Sequence, residues 1–121
     1  MVNAIKKWGI YKADLEPVLG SEQGKSRPVL IISEDFSNDV LNCVNILPIT
    51  SRKENRNIYP NEVLLPIGTS GLLNESIVLC HQIRTIDKKR ISNFYGEIGE
   101  TNIQTEILNA LCFQLGIDLY K

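Results

Sequence analysis

The sequence predicts a mainly β domain with helices (α+β), built on a small, strongly bent antiparallel sheet or barrel against which one C-terminal α-helix packs. Three observations lead to this prediction. Strand-like segments recur at short spacing, the loops between them are long and polar, and an amphipathic stripe of helical period lies near the end of the chain. With 121 residues, 43% of them hydrophobic, residues 1–121 fit a single domain with one core.

Two strands and a short helical segment are predicted in the first third of the chain. Residues 10–13 form a short first strand, and the almost wholly apolar residues 28–33 form a second strand that has to be covered on both faces. Residues 33–39 carry capping and turn residues, which indicate a helical turn or a loop. A third strand follows over residues 42–49, and the polar segment 50–61 is predicted as a surface loop or hairpin end.

The second half of the chain continues the strand pattern. Residues 62–67 form a fourth short strand, residues 68–74 form a turn with two glycines, and residues 76–85 form a fifth strand. A turn of helix over residues 87–90 leads into the last strand, residues 91–98. Period two on the fifth strand predicts a core face of Ile77, Leu79, His81 and Ile83, and a second face, increasingly polar, of Ser76, Val78, Cys80, Gln82 and Arg84.

The C-terminal helix has the clearest signals. Thr101 and Gln104 have the spacing of a capping box, and Gly116 suits the end of the helix. The predicted apolar stripe comprises Ile103, Ile107, Leu108, Leu111 and Leu115.

Composition excludes several classes of protein. There is no signal-peptide pattern and no apolar run of membrane-spanning length, so a cytoplasmic protein without a membrane partner is expected. Cys43, Cys80 and Cys112 are odd in number and widely spaced in apolar contexts, which indicates buried reduced thiols and neither a disulfide framework nor a zinc site. The single histidine, His81, is predicted to be a packed residue of its strand, with a catalytic base as the alternative.

The charge balance leaves room only for a local polyanion site. Thirteen basic and fourteen acidic residues give a net charge of −1, which is not the basic footprint of a general nucleic-acid binder. Two basic clusters, residues 52–56 and 84–90, could supply such a site. Both are equally consistent with solvated loops.

The loop before the second strand, Gly20-Ser-Glu-Gln-Gly-Lys-Ser-Arg27, concentrates polar chemistry. Pro28 fixes its own φ and biases Arg27 towards extended geometry, so the guanidinium is pre-oriented for bidentate contact with a phosphate or carboxylate. Glu22 is near enough in sequence to pair with Arg27 or to accept a proton beside it. Composition alone leaves two interpretations open: an anion-binding site, or a solvated connecting loop with an internal ion pair.

Four further side chains have ambiguous roles on their own. Thr50 and Ser51, after the third strand, are typical strand-end or turn residues that can also donate hydrogen bonds to a ligand. Gln82 and Arg84 alternate on one strand face and could contact a ligand or face solvent.

Taken together and in order, these stretches make the chain resemble the MazF/PemK family of toxin endoribonucleases along nearly its whole length. The resemblance rests on residues 10–18 (IYKADLEPV), 20–29 (GSEQGKSRPV), 47–51 (LPITS), 71–78 (GLLNESIV) and 82–90 (QIRTIDKKR). It implies an SH3-like barrel with helices (CcdB/PemK-like) that works as a homodimer. It further implies cleavage of single-stranded RNA, chiefly messenger RNA, without metal or other cofactor, and inhibition by a cognate antitoxin.

The resemblance also implies roles for individual residues. Arg27, Thr50 and Glu22 are expected to be catalytic, and the expected RNA-binding residues are Gln23, Lys25, Ser51, Ser76, Gln82 and Arg84. The RNA 2′-hydroxyl would act as nucleophile, leaving a 2′,3′-cyclic phosphate and a 5′-hydroxyl. Arg27 would stabilise the charged phosphate, while Glu22 is an easier base than an arginine, provided that it lies within hydrogen-bond reach.

Two departures from the family pattern affect the recognition of RNA. Trp8-Gly9 stands where the family commonly has a Gly-acid pair, and His81 stands where it often has an acidic residue. Two alternative functions remain open: a non-catalytic, CcdB-like toxin that binds DNA gyrase, and an RNA-binding module that has lost cleavage.

Overall fold

The computed structural model describes residues 4–118, which contain seven β-strands and two α-helices. Three short 3₁₀ turns at Thr69–Gly71, Cys80–Gln82 and Lys88–Arg90 connect some of these elements. The elements are β1 (Gly9–Asp14), β2 (Ser26–Ile31), α1 (Asp35–Val40), β3 (Cys43–Ser51), β4 (Glu62–Leu65), β5 (Ser76–Leu79), β6 (Arg84–Asp87), β7 (Ile91–Glu97) and α2 (Thr101–Leu115).

The strands form one antiparallel sheet in the order β4-β5-β3-β2-β1-β7, and β6 pairs with β3. The sheet is open, since β4 and β7 end the order. The predicted fold class, a mainly antiparallel sheet with a C-terminal helix, is confirmed. The predicted helical turn after β2 is the short helix α1, and the predicted turn of helix before β7 is the 3₁₀ turn Lys88–Arg90.

The sheet is buried on both faces of its central strands. One core contains Ile10, Leu30 and Leu47 and is covered by Ile107 of α2. A second core on the other face contains Val29 and Ile31 of β2, together with Tyr11, Ala13, Leu15, Val44, Ile46 and Ile86. Because neighbouring residues of β2 enter different cores, its continuous apolar run is needed, as the sequence predicted.

The predicted fifth strand is wrong beyond Leu79. Two residues separate Ile46 and Ile49 on β3, whereas five separate their partners Arg84 and Val78. The extra residues form the 3₁₀ turn Cys80–Gln82, which divides the segment into β5 and β6. The period-two assignment therefore fails after this turn, and His81 is exposed instead of packed in the core.

Two details of α2 also differ from the prediction. The N-cap residue is Glu100, without a side-chain cap, and Gln104 Nε2 donates to the Ile98 carbonyl at 2.8 Å, so there is no Thr101–Gln104 capping box. Ala110 is buried with Ile107, whereas Leu108 and Leu115 are exposed, so the buried stripe is narrower than predicted. Gly116 ends the helix at φ 69°, as predicted.

The cysteines are free among the described residues, but they differ in burial. Cys80 is buried, and desolvation raises the pKa of its thiol to about 12. Cys43 is exposed, so the prediction of a buried thiol is wrong there. No helix within residues 4–118 combines the length and hydrophobicity needed to cross a membrane.

Candidate functional site

A cleft of about 400 Å³ lies where β2, β3 and the segment before β5 meet. It brings together residues that are far apart in sequence, including five of the nine predicted site residues. The lining residues are Lys25, Ser26, Arg27, Pro28, Ile49, Thr50, Ser51, Gly71, Leu72, Leu73, Asn74, Ser76 and Tyr95.

Arg27 is held at the start of β2, where it pairs with Ala13 of β1. Its Nε donates to the Gly24 carbonyl at 2.6 Å, and this hydrogen bond fixes the orientation of the guanidinium. Its Nη1 lies 3.4 Å from Thr50 Oγ1, longer than an ordinary N–H···O bond of about 2.7–3.2 Å. The Nη donors are therefore only weakly engaged and remain able to bind an anion.

Thr50 and Ser51 are the last residues of β3 and do not follow it, contrary to the prediction. β3 continues because it gains β5 as a partner there: Thr50 pairs with Ile77, and Ser51 pairs with Ser76. As Thr50 Oγ1 accepts from Arg27, its hydroxyl proton is free to be donated to a ligand. Arg27 and Thr50 thus present guanidinium and hydroxyl donors on one wall of the cleft.

The loop ahead of Arg27 packs closely against the Glu16 side chain at Gly24. A Cβ on Gly24 would lie 2.2 Å from Glu16 Oε2, and the next residue, Lys25, has φ 64°. The Lys25 backbone N–H donates to the same Glu16 carboxylate, and its carbonyl accepts from the Leu15 N–H at 2.9 Å. These contacts hold Lys25 in a left-handed conformation that is rare for residues with side chains. The exposed Lys25 side chain thereby lines the cleft.

Glu22 is not brought to the Arg27–Thr50 pair. Its Oε1 accepts from the Leu19 N–H at 2.6 Å within the loop, its side chain is exposed, and it is not among the residues lining the cleft. Glu22 could act as a base only within hydrogen-bond distance of the substrate, and this conformation of the loop does not bring its carboxylate into the cleft. It does not form the intraloop ion pair with Arg27 either.

Gln82 makes two hydrogen bonds to the loop of residues 20–27. Its Nε2 donates to the Ser21 carbonyl at 3.2 Å, and its Oε1 accepts from the Gln23 N–H at 3.3 Å. The 3₁₀ turn that interrupts the predicted strand gives Gln82 this position. Gln23 Oε1 is buried and has no hydrogen-bond partner among the described residues. Neither glutamine lines the cleft.

Of the other predicted RNA-binding residues, Ser51 and Ser76 line the cleft, and Arg84 contacts the segment that leads into the loop. Ser51 is exposed in the cleft, whereas Ser76 also lines it but is buried, with its Oγ donating to the Asn74 carbonyl at 2.9 Å. Arg84 lies outside, and its Nη1 donates to the Leu15 carbonyl at 3.2 Å. Asn74 and Tyr95 also line the cleft but were not predicted as site residues, because packing between segments distant in sequence brings them there.

The two basic clusters are also engaged within the chain. In the first, Arg52 pairs with Glu75 at 3.0 Å and Arg56 pairs with Glu62 at 2.7 Å. In the second, Arg90 donates, like Arg84, to carbonyls of the segment entering the loop, those of Asp14 and Glu16. The arginines of both clusters thus anchor loops, and none of them lines the cleft.

Glu62 is the most buried carboxylate of this set, with 2% of its side chain exposed. Arg56 contacts both carboxylate oxygens, and the Tyr59 N–H donates to Oε1 at 3.1 Å. These hydrogen bonds, chiefly that from Arg56, hold the pKa of Glu62 below its ordinary value, and Glu62 raises the pKa of Arg56. Exposed His81 borders the same depression as Glu62 and does not line the Arg27 cleft.

Comparison with known proteins places the chain in a family. Residues 6–115 match the family model described as the PemK-like, MazF-like toxin of type II toxin-antitoxin systems. The chain belongs to this family. The family predicted from the sequence motifs is therefore confirmed, and the alternative of a CcdB-like toxin is not favoured.

Solved structures agree with this assignment. MazF from Deinococcus radiodurans is 28% identical with a TM-score of 0.80, over 95% of this chain and 99% of that one. A MazE–MazF structure from the same organism is 26% identical with a TM-score of 0.72, over 97% and 100% of the two chains. An endoribonuclease in complex with its cognate antitoxin, from a mycobacterial species, shares the fold at 23% identity with a TM-score of 0.76, over 95% and 98%.

No three His, Cys, Asp or Glu side chains within residues 4–118 form a group that could hold a metal ion. The charged groups lining the cleft are Lys25 and Arg27, and no carboxylate lines it. The cleft therefore offers positive charge and hydroxyl donors, which suit a phosphate group.

Proposed function

We propose that this MazF-like toxin is an endoribonuclease that cleaves single-stranded RNA at the Arg27–Thr50 cleft. The observation that carries the proposal is the meeting of these two side chains, 23 residues apart, with Arg27 Nε fixed by Gly24 and the Nη groups left for a ligand. Family membership supports the assignment of an RNA phosphate as that ligand.

In the proposed mechanism the RNA 2′-hydroxyl attacks the adjacent phosphate. The P–O bond to the 5′-oxygen of the next nucleotide breaks, and the proton lost by the 2′-hydroxyl is balanced by the one that the leaving 5′-oxygen gains, so the products are a 2′,3′-cyclic phosphate and a 5′-hydroxyl. Arg27 donates to the non-bridging oxygens as their charge grows, and the Thr50 hydroxyl adds a hydrogen bond. Such donors contribute about a hundredfold to a thousandfold each in other enzymes. Lys25 attracts the backbone to the cleft.

Within residues 4–118, no carboxylate lines the cleft to accept the proton of the 2′-hydroxyl. Glu22 would serve only if its loop moved, because its carboxylate is bound to Leu19 N–H. Gln23, Gln82 and Arg84 are proposed to act on RNA indirectly, by bracing that loop, whereas Ser51 and Ser76 are proposed to contact RNA within the cleft.

We further propose that the active form is a cytoplasmic homodimer and that a cognate antitoxin blocks the cleft. MazE–MazF and antitoxin complexes of similar proteins support the second part. A partner that covers Arg27 and Lys25 would need negative charge, because both cations face the cleft.

The test is cleavage of a long single-stranded RNA by the purified protein in EDTA, with mapping of both ends of every cut. Wild type is expected to give specific cuts with 5′-hydroxyl ends, an Arg27→Ala variant is expected to cut about a thousandfold more slowly, and the same sequence as DNA should stay intact. Binding of the RNA without cleavage would identify an RNA-binding module instead. Intact and unbound RNA with a folded protein would overturn the proposal.

A further inference from the structure

Tyr95 lies at a bulge in β7. Ile10 of β1 pairs with Gly96, and the next residue, Tyr11, pairs with Phe94, so Tyr95 is an extra residue without a partner on β1. A β-bulge bends the strand locally and redirects the side chain of the extra residue, and bulges are frequent beside active sites. Here the redirected tyrosine lines the Arg27–Thr50 cleft.

A tight contact with the segment before β5 fixes this bulge. A Cβ on Gly71, which has φ 81°, would lie 2.3 Å from the Tyr95 carbonyl oxygen, so the two backbones touch. Ser70 Oγ donates to the Glu97 carbonyl at 2.5 Å on the other side of the bulge. The 3₁₀ turn Thr69–Gly71 and strand β7 are therefore held together around Tyr95, and its Cα cannot shift without breaking these contacts.

Tyr95 and its neighbour Phe94 are used differently. The Phe94 ring packs against Tyr11, with centroids 5.3 Å apart, and it does not line the cleft. Tyr95 lines the cleft and is 38% exposed as a residue, and its ring forms no aromatic pair or side-chain hydrogen bond with the residues described. One aromatic surface is thus held beside the donors of Arg27 and Thr50 and is open to a ligand.

We infer that Tyr95 binds the RNA by stacking on a nucleobase next to the phosphate held by Arg27 and Thr50. The inference rests on the proposed function, since it names a contact to the same substrate. A nucleic-acid strand offers alternating phosphate and base, and this cleft offers cationic donors and an aromatic ring within one volume of about 400 Å³. Every base has a π-face. Stacking on Tyr95 should therefore strengthen RNA binding without selecting one particular base.

The first test compares steady-state cleavage of a fluorescent RNA that contains a mapped cut site. Tyr95→Ala is expected to raise KM about tenfold with kcat within about threefold, since stacking on one base contributes roughly that much affinity. Tyr95→Phe keeps the aromatic ring and should keep the wild-type KM. Phe94→Ala is the matched control, because it removes an adjacent aromatic ring outside the cleft and should leave KM unchanged.

The second test measures binding, so that it does not depend on catalysis. The same RNA, made uncleavable by one 2′-deoxyribose at the cut, is prepared with a single abasic nucleotide at each position in turn. Wild type should lose about tenfold in affinity for one of these positions next to the cut. Tyr95→Ala should bind that abasic RNA and the intact RNA equally, as both have lost the same contact.

The outcomes separate the two proposals. Cleavage with an unchanged KM in Tyr95→Ala, or equal abasic penalties in both proteins, overturns the stacking inference and leaves the proposed function intact. If wild type cuts no RNA, homopolymer oligoribonucleotides replace the mapped site in the binding test. Weaker binding by Tyr95→Ala than by Tyr95→Phe then supports stacking without cleavage, and equal binding by wild type and both variants overturns both proposals.

Discussion

Arg27 in the cleft and Arg56 in the loop before β4 are both half-buried arginines, but their donors are used differently. Arg56 binds both oxygens of the buried Glu62 carboxylate and also donates to the Asn57 carbonyl. Arg27 is fixed through Nε alone and makes only a long contact with Thr50. A guanidinium paired with a buried carboxylate holds a loop in place, whereas one with weakly engaged donors can bind a substrate.

The largest expected effect is that of Arg27→Ala on cleavage. Losing the guanidinium should lower kcat about a thousandfold, because its donors stabilise the charged phosphate in the transition state. The free energy of unfolding should fall by only about 1 kcal/mol, the contribution of the lost bond to Gly24. Single-turnover cleavage and urea denaturation measure the two. A loss of activity matched by a large loss of stability would make Arg27 structural like Arg56.

Arg56→Ala should have the opposite profile. The substitution leaves Glu62 buried without its cation, and we expect a loss of about 2–4 kcal/mol in the free energy of unfolding, below that for a fully buried pair because 33% of the Arg56 side chain is exposed to solvent. At a temperature where the variant is folded, kcat should stay within about threefold of wild type, in contrast with the loss of about a hundredfold or more that follows removal of an active-site donor. A hundredfold loss of kcat in a fully folded variant would contradict the division between the two arginines.

The Arg56–Glu62 pair should also give the stability a pH dependence. The pKa of Glu62 is lowered in the folded protein, so as the pH falls below about 4.3 the unfolded chain takes up a proton before the folded one does. Stability supplied by the pair is complete above that pH and is lost as the pH falls through the folded-state pKa. Urea midpoints between pH 7 and 3 should therefore fall more steeply for wild type than for Glu62→Gln. Parallel curves would show that the pair does not contribute this dependence.

The smallest expected effect is that of Glu22→Gln. The glutamine oxygen can still accept from the Leu19 N–H, so the loop should keep its shape and kcat should stay within about threefold. A fall of about a hundredfold or more would mean that the loop moves and brings Glu22 to the 2′-hydroxyl as general base. Circular dichroism and thermal melting of the variant serve as the control for folding.

Part of the site could be read from the sequence because it depends on local chain geometry. Arg27 precedes Pro28 at the start of an apolar strand, so its position at the entrance to β2 follows from the backbone restrictions of that dipeptide. Thr50 could be recognised by its place in the motif LPITS, although the sequence put it after β3 and not within it. Glu22 was placed near Arg27 on sequence proximity alone, and the loop turns its carboxylate elsewhere.

The elements that the sequence predicted correctly are those with a strong local period or a fixed backbone preference. The doubly buried run of β2, the strand β7 and the glycine that ends α2 belong to this group. The predicted strand over residues 76–85 failed because the alternation of side chains continues through the 3₁₀ turn Cys80–Gln82. Only the register of β5 and β6 against β3 requires the extra residues.

The sequence by itself determined the family, the antiparallel sheet with its C-terminal helix, and the two residues proposed for catalysis. The tertiary structure decided which charges are available. It pairs Arg56 with Glu62, directs Gln82 to the loop, and brings the bulged Tyr95 into the cleft. The physical reason is that contacts between distant segments fix which donors are fully engaged inside the chain, and donors that are not fully engaged remain able to bind a substrate.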